Sequence, residues 1–149
     1  MEAEQTRRAT VTWTGALIDG SGRVSAASSG LFSDLPVSWA ARTEEPGGRT
    51  SPEELLAAAH ASCFSMALSS GLAKAGTPPE RLEVSATVTF AKDETRWSVA
   101  ASHLEVRGRV PNSTQAAFAE AAEGAKEGCP ISRALKGNVA LSVEAVLEG

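Results

Sequence analysis

The sequence has little of what nucleic-acid-binding and membrane-spanning proteins need. Lysine and arginine number 14 against 18 aspartate and glutamate residues, so the formal net charge of the 149 residues is −4. Because such a chain has no basic patch to neutralise phosphates, we expect neither nucleic acid nor an anionic membrane surface as a partner. No stretch approaches the run of about 18 apolar residues that spans a bilayer, so no membrane partner is expected.

Several functional motifs are also missing. The acidic segment 1–5 carries no apolar core of a signal peptide, which predicts a cytoplasmic protein. No Ser-His-Asp nucleophile elbow, phosphate-binding glycine loop or Cys-x-x-Cys motif is present, which leaves hydrolase, nucleotide and thioredoxin-type functions without their residues. Cysteine occurs only twice, as Cys63 and Cys129. In the cytosol a disulfide between two such thiols would be transient and chemical, not a permanent cross-link.

What is present predicts a single α+β domain covering residues 1–149. Short runs rich in Val, Thr, Trp and Ser, separated by glycine-containing turns, indicate an N-terminal meander of three strands. Later runs alternate apolar and polar residues with the period of two that half-buried strands show. The predicted strands are residues 10–13, 23–27, 35–41, 82–90, 99–110 and 139–147. A slip in the alternation near Ser102 and His103 predicts a bulge.

The strongest helix signal begins at Ser51. Ser51 is a good N-cap, Pro52 fits the first helical position, and Glu54 completes a capping box. The predicted helix runs to about residue 75, where Gly76 stops it. Its expected buried face, at helical spacing, consists of Leu55, Ala58, Ala59, Ser62, Cys63, Met66 and Ala67.

Two further helices are predicted before the last strand. Asn112 is the expected N-cap of a helix that ends at Gly128, and Pro130 is expected to open a third, short helix, which places Cys129 at a helix N-terminus. The complete order is β-β-β-α-β-β-α-α-β, with antiparallel sheets and a long central helix.

The two cysteines are a redox couple, two metal ligands or two small core residues. A thiol becomes a useful nucleophile when a cation or a helix N-terminus stabilises its thiolate. No Lys or Arg lies between Glu53 and Ala73, so the helix offers Cys63 only His60. Arg42, at the predicted end of the third strand, is the cation that we expect to serve Cys63.

Two alternatives stay open on the residues alone. His60, Cys63, His103 and Cys129 supply the four ligands of a zinc site. In a non-catalytic domain, by contrast, both cysteines would be inert core residues, which is a common role for buried cysteine.

The motifs around the thiols resemble one known family. Cys63 lies in Ala-Ala-His-Ala-Ser-Cys-Phe-Ser-Met-Ala-Leu-Ser, downstream of a Pro-Glu-Glu-Leu helix start, and Cys129 lies in Gly-Cys-Pro-Ile-Ser-Arg-Ala-Leu-Lys. Together these segments resemble the osmotically inducible protein C and organic hydroperoxide resistance family, and the osmotically inducible branch more closely. The similarity extends over nearly the whole chain.

The resemblance implies an intertwined homodimer that acts as a thiol-dependent peroxidase on organic hydroperoxides, and on hydrogen peroxide, in defence against oxidative or osmotic stress. Cys63 matches the family's peroxidatic cysteine and Cys129 its resolving cysteine, while Arg42 and Glu53 match the arginine and glutamate that organise the site. The implied reductant is an external dithiol of lipoyl type or a small thiol, and no metal or other cofactor is implied.

One distance constrains these roles. Cys63 follows Glu53 by ten residues of predicted helix, which corresponds to about 15 Å at 1.5 Å per residue. At this distance one arginine side chain does not easily contact both the Glu53 carboxylate and the Cys63 sulfur. We therefore expect either an interrupted helix or a site completed by a second subunit, and we favour the second subunit.

Overall fold

In the computed structural model, which describes residues 3–149, the chain divides into two units, Met1–Pro52 and Glu53–Gly149. The first unit is built on a meander of three antiparallel strands in the order β1-β2-β3. The strands are β1 (Thr10–Thr14), β2 (Ser21–Ser25) and β3 (Leu35–Val37). The meander is confirmed, with β2 beginning and ending two residues before the expected bounds. That residues 1–149 form one domain stays a prediction.

The third strand is shorter than expected. It ends at Val37, and the chain then forms the short helix α1 (Trp39–Thr43). Ser38 begins this helix because its Oγ accepts a hydrogen bond from the backbone N–H of Ala41 at 3.1 Å, the usual arrangement of an N-cap. Arg42 therefore lies on α1, and its expected place at a strand end is wrong.

The long central helix is confirmed as α2 (Pro52–Lys74), which is continuous over 23 residues. Two glutamates occupy its first turn, where carboxylates favour the positive end of the helix dipole. The chain leaves the helix at Gly76 with φ +88, a conformation that glycine adopts without strain. Both predicted ends are correct to within a residue or two.

The buried face of α2 differs from the predicted one. Four apolar or aromatic positions follow one another at intervals of four residues on the buried side: His60, Phe64, Leu68 and Leu72. Most of the expected face is exposed, with Ala58, Ala59, Ser62 and Met66 on the surface. Apolar residues surround this helix on nearly all sides, so spacing alone does not choose a face. The bulky side chains of Phe64 and the leucines go to the core because they bury more apolar area.

By length and composition α2 is also apolar enough to cross a membrane. The sequence expectation that no segment approaches this threshold is therefore wrong, because the alanines and leucines give the segment a high mean hydropathy although serines interrupt any long aliphatic run. A core helix of a soluble protein passes the same test. One stripe of α2 packs into the core of the second unit, and 22% of its apolar window is buried.

The second unit carries a mixed sheet in the order β4-β5-β6. Its strands are β4 (Arg81–Lys92), β5 (Trp97–Arg109) and β6 (Ala140–Leu147). The hairpin β4-β5 is antiparallel as predicted, whereas β6 pairs with β5 in parallel. The expectation of purely antiparallel sheets is corrected here: the connection between β5 and β6 contains two helices, the kind of crossover that parallel pairing requires.

The predicted bulge is present, slightly earlier than expected. Thr89 pairs with Ala101 and Phe90 pairs with Val99, so that Ala100 is the additional residue. Beyond it the inward positions of β5 are Ser102, Leu104, Val106 and Gly108, all buried. The bulge therefore sets which residues of β5 face the helices.

Two helices connect β5 to β6: α3 (Gln115–Gly128) and α4 (Pro130–Leu135). The N-cap of α3 is Thr114, whose Oγ1 accepts from the backbone N–H of Ala117 at 3.1 Å, and not Asn112 as predicted. Asn112 instead adopts φ 67 in the preceding turn, which asparagine tolerates better than most residues. Cys129 caps both helices, so its predicted place at the start of α4 is confirmed.

The core of the second unit lies between the sheet and the helices α2 and α3. It contains Phe64, Leu68, Leu72, Leu104, Val106, Val110, Phe118, Ala122, Ala125 and Cys129. Gly108 lets the ring of Phe118 approach β5 directly, because a Cβ at this position would overlap the ring. One of the two thiols is thus a member of the core itself.

Candidate thiol site

The structure brings the two cysteines together although they lie on different helices. Cys63 is in the middle of α2, and Cys129 is at the junction of α3 and α4. Both are free thiols, and the S–H of Cys63 donates a hydrogen bond to the sulfur of Cys129. Cys129 is fully buried, whereas Cys63 is half-buried and is the more accessible of the two.

The surroundings of Cys129 favour its thiolate. Burial by itself raises the pKa of this thiol, but four hydrogen bonds act in the opposite direction and leave the pKa below its ordinary value. The donors are the backbone N–H groups of Ser132, at 3.5 Å from Sγ, and Ile131, the hydroxyl of Ser132 and the thiol of Cys63. Donors aimed at a sulfur favour its charged form.

The surroundings of Cys63 have the opposite effect. Burial raises the pKa of Cys63, and the hydrogen bond and negative charge of Cys129 raise it further. The backbone N–H of Ile131 and the charge of Arg133 lower the pKa only in part. Since the two thiols titrate together, Cys129 is the first of the pair to lose its proton, and Cys63 keeps its own to higher pH.

A buried histidine supports this arrangement. His60 is fully buried, with Nδ1 at 2.6 Å from Oγ of Ser102 and Nε2 at 2.8 Å from Oγ of Ser132. Burial lowers the pKa of His60, so the ring is neutral near pH 7. The residue that the sequence offered as a cation for Cys63 is therefore a neutral hydrogen-bonding group.

Arg42 and Glu53 lie in different units. Arg42, on α1 of the first unit, has its guanidinium carbon 5.8 Å from the centroid of the Trp39 ring. Glu53 is buried in the first turn of α2, on the same continuous helix as Cys63. The alternative of an interrupted helix is thereby excluded, and the spacing of about 15 Å between Glu53 and Cys63 stands. The roles of Arg42 and Glu53 stay predictions.

The four residues of the zinc alternative, His60, Cys63, His103 and Cys129, do not come together. His60 has a serine hydroxyl at each ring nitrogen. His103 follows Ser102 on β5, and adjacent strand residues point to opposite faces, so it lies on the other side of the sheet from Cys63. There its Nδ1 is 2.6 Å from Oγ of Ser142 and its Nε2 is 3.7 Å from a carboxylate oxygen of Glu105.

Among residues 3–149, the side chains placed closely enough to hold a metal ion are those of His103, Glu105 and Glu144, with candidate ligand atoms within 4.8 Å of one another. This cluster is on the outer face of β5 and β6, and both glutamates are exposed. It contains neither cysteine, so it does not revive the zinc interpretation of the thiols.

Sequence reasoning missed three residues that act on the thiols, Ile131, Ser132 and Arg133, and also Ser102, which contacts His60. Ser102 carried a usable signal, because it occupies an inward position in the alternation that continues through Leu104 and Val106. A polar side chain at such a position needs a buried partner. Ser132 and Arg133 adjoin Cys129 in the sequence, but their contacts depend on how α4 packs.

Fold and site together define an α+β protein with a dithiol centre between a long core helix and a helix junction. The family described as OsmC-like protein matches residues 45–144. Peroxiredoxin OsmC of Escherichia coli (strain K12) is 36% identical over 132 residues, which cover 89% of this chain and 91% of that protein. The chain belongs to the OsmC family.

Solved structures agree with this assignment. The organic hydroperoxide resistance protein OhrB of Bacillus subtilis matches with a TM-score of 0.71 and 26% identity, covering 93% of this chain and 97% of that one. An OsmC-like protein of Mycoplasma pneumoniae has a TM-score of 0.75 over 99% of this chain and 100% of its own, at 16% identity, and is similar in fold alone. The family resemblance and the α+β fold are confirmed.

Proposed function

We propose that this chain is a thiol-dependent peroxidase that reduces organic hydroperoxides to alcohols through a disulfide between Cys63 and Cys129. The observation that carries the proposal is the hydrogen bond between the two sulfurs, because a sulfenate formed on one is then within reach of the other. The names of the relatives, a peroxiredoxin and an organic hydroperoxide resistance protein, support the same chemistry.

In the first step the thiolate of Cys63 attacks one peroxide oxygen and the O–O bond breaks. The other oxygen leaves as alkoxide and becomes the alcohol by taking the proton that Cys129 received from Cys63, so that Cys129 is again a thiolate, while Cys63 becomes a sulfenic acid. Cys63 is suited to this role because it is the more accessible thiol. Its proton must first leave, and the hydrogen bond gives that proton a path to Cys129.

In the second step the thiolate of Cys129 attacks the sulfenate sulfur of Cys63, hydroxide leaves and is protonated to water, and the disulfide forms. Two electrons and two protons from an external dithiol then restore both thiols. We propose a lipoyl-type dithiol or a small thiol as this reductant, with no metal or other bound cofactor in the cycle. The buried Cys129 fits the role of an internal partner that external peroxide does not reach first.

We retain Arg42 and Glu53 as proposed organising residues. An arginine donates to the leaving oxygen and stabilises a thiolate, and a carboxylate fixes its orientation through paired hydrogen bonds. Because Glu53 and Cys63 are far apart on one continuous helix, the proposed site is completed by a second copy of the chain. Replacing Arg42 by alanine should slow the first step, and an unchanged rate would remove Arg42 from the site.

An intertwined homodimer is part of this proposal. All five residues of β1 are exposed, among them Val11 and Trp13, and Met66 on α2 is 71% exposed. Exposed apolar side chains on each of these elements, taken separately, favour coverage by a partner. The family resemblance also supports the rest of the proposal, a cytoplasmic location and a role in defence against oxidative or osmotic stress.

The competing function is that of a non-catalytic domain, which the complete burial of Cys129 favours. A peroxidase assay separates the two. Purified protein is given cumene hydroperoxide or hydrogen peroxide, each with dihydrolipoamide or with thioredoxin as reductant, and Cys63→Ser is the control. We expect turnover of cumene hydroperoxide with dihydrolipoamide and none in the variant. No turnover with any pair, or equal turnover in Cys63→Ser, would overturn the proposal.

A further inference from the structure

His60 takes no part in the peroxide steps above, yet it joins three elements of the site. It lies on α2 one turn before Cys63, and its two ring nitrogens contact Ser102 on β5 and Ser132 on α4. These partners are 42 and 72 residues away in sequence. A side chain so buried and so fully bonded fixes the position of the elements that it joins.

The donors and acceptors of this network can be ordered. A hydroxyl donates one proton, and the hydroxyl of Ser132 is among the donors that stabilise the sulfur of Cys129. Its oxygen must then accept from His60, which places the imidazole proton on Nε2. Nδ1 is left as an acceptor, and the hydroxyl of Ser102 donates to it. In this order each hydroxyl and each ring nitrogen makes one hydrogen bond, and no buried donor or acceptor of the network is left without a partner.

The network has a second connection to the same sulfur. The backbone N–H of Ser132 also donates to Sγ of Cys129, at 3.5 Å. Ser132 is thus held on one side by the imidazole and on the other by the sulfur, through both its hydroxyl and its amide. Any shift of the first turn of α4 would break the bond to His60 and lengthen both contacts to Cys129.

We propose that His60, as the Nε2–H tautomer, is a positioning residue that directs the Ser132 hydroxyl onto Cys129 and thereby holds this thiol beside Cys63 for disulfide formation. The inference deepens the proposed peroxidase function, on which it rests for its biological meaning. Its physical content concerns the dithiol alone. It can therefore be tested without any hydroperoxide.

Two substitutions of His60 separate the bond to Ser132 from the bond to Ser102. The amide of asparagine reaches the place of Nδ1, and the longer glutamine brings its amide to the place of Nε2. His60→Asn therefore keeps the contact with Ser102 and loses the one with Ser132, whereas His60→Gln does the reverse. Both variants lose one buried hydrogen bond, so their losses of stability are matched.

A second pair gives the same separation without changing the helix. Ser132→Ala removes the hydroxyl that links His60 to Cys129 but keeps the backbone N–H, and Ser102→Ala leaves that link intact. Each substitution removes one hydroxyl from a fully buried position, since both serines are at most 1% exposed. This pair decides the question if either variant of His60 fails to fold.

The measurement is the equilibrium between the Cys63–Cys129 dithiol and its disulfide in buffers of reduced and oxidised dithiothreitol. We expect His60→Asn and Ser132→Ala to raise the equilibrium constant for disulfide formation about tenfold, because the lost donor stabilises the Cys129 thiolate and not the disulfide, and we expect His60→Gln and Ser102→Ala to stay within about threefold of the unchanged protein. Equal constants within each pair would overturn the proposal, because a purely structural histidine affects both members alike.

The tautomer gives a second, spectroscopic result. In ¹⁵N-resolved NMR of the reduced protein at pH 7.5, His60 should show a protonated Nε2 and an unprotonated Nδ1, and an Nδ1–H tautomer would contradict the ordered network. Failure of the peroxidase assay with these results intact would remove the proposed function and leave the positioning role. Normal peroxidase activity with equal equilibrium constants would remove the positioning role of His60 and leave the proposed function.

Discussion

The thiol of Cys63 donates its hydrogen bond to the sulfur of Cys129, which raises the pKa of the accessible thiol and lowers the pKa of the buried one. This difference follows from the donors around each sulfur. Cys129 faces two backbone N–H groups of α4 and the hydroxyl of Ser132, whereas Cys63 faces one of these N–H groups, that of Ile131, and Cys129 itself. Cys63 is therefore a weak nucleophile until it loses its proton.

Replacing Cys129 by serine should lower the pKa of Cys63. The variant removes the negative charge that raises this pKa in the intact pair and leaves a neutral hydroxyl that can donate to the Cys63 thiolate. The rate of Cys63 alkylation by iodoacetamide is measured from pH 6 to 10, and in the unchanged protein peptide mapping separates Cys63 from Cys129. In the variant this rate should reach half of its plateau at a lower pH than in the unchanged protein. A midpoint that stays in place or rises would show that Cys129 does not carry the charge.

Arg133 should assist Cys63 from within the same unit. Its charge lowers the pKa of Cys63, and its Nε donates to the carbonyl oxygen of Gly128 at 3.3 Å, beside Cys129. We expect Arg133→Ala to raise the pKa of Cys63 and to slow its alkylation at pH 7 about twofold, because an exposed charge is screened.

The matched control for Arg133→Ala is Arg107→Ala. Arg107 is an exposed arginine on an outward position of β5, so the control loses the same net charge away from the thiols. Equal alkylation rates in the two variants would mean that Arg133 acts only through net charge, if it acts at all.

Much of the fold could be predicted from local patterns. The capping residues before α2 and Gly76 after it define a helix whatever it packs against, and the alternation from Leu82 to Phe90 defines a half-buried strand in the same way. The helix junction at Cys129 could also be predicted, because Gly128 and Pro130 mark the end of one helix and the start of the next.

What could not be predicted depends on packing between distant segments. The buried face of α2 was assigned wrongly because small and large apolar residues surround this helix, and only the sheet beneath it selects Phe64 and Leu68. The contacts of His60 join residues far apart in sequence, for which no local spacing gives a signal. The change from strand to helix after Val37 depends on one capping serine, Ser38, which lies within a run whose composition favours a strand.

Folding stability should decrease as the pH falls below about 6.5, the ordinary pKa of histidine. Burial lowers the pKa of His60 in the folded state, so the unfolded chain binds the proton first. The free energy of unfolding is therefore complete above that pH and declines until the pH reaches the lowered pKa, by about 1.4 kcal/mol for each unit of lowering.

Urea denaturation at pH 7.5, 6.5 and 5.5 measures this dependence. The variant His60→Gln does not titrate at this position, so its midpoint should change less over the same range, while His103 is common to both proteins. Parallel pH profiles for the two proteins would show that His60 is not buried as a neutral ring.

The exposed apolar side of α2 should be covered in solution by a second copy of the chain. Introducing a charge at the centre of that surface with Met66→Glu should convert a dimeric mass to a monomeric one in light scattering at micromolar concentration. Thr87→Glu, at an exposed position on the outer face of β4, is the control and should stay dimeric. A monomeric mass for the unchanged protein with full activity would refute a site completed by two subunits.

The central claim is that Cys63 and Cys129 form one redox couple, and counting thiols tests it most directly. The reduced protein, with its two free thiols, is treated with one equivalent of cumene hydroperoxide, and the thiols and the intact mass are then measured. We predict the loss of both thiols and a mass lower by two hydrogen atoms, as a disulfide requires. Two thiols that remain unreacted, or a mass increased by oxygen atoms with Cys129 still free, would contradict the account.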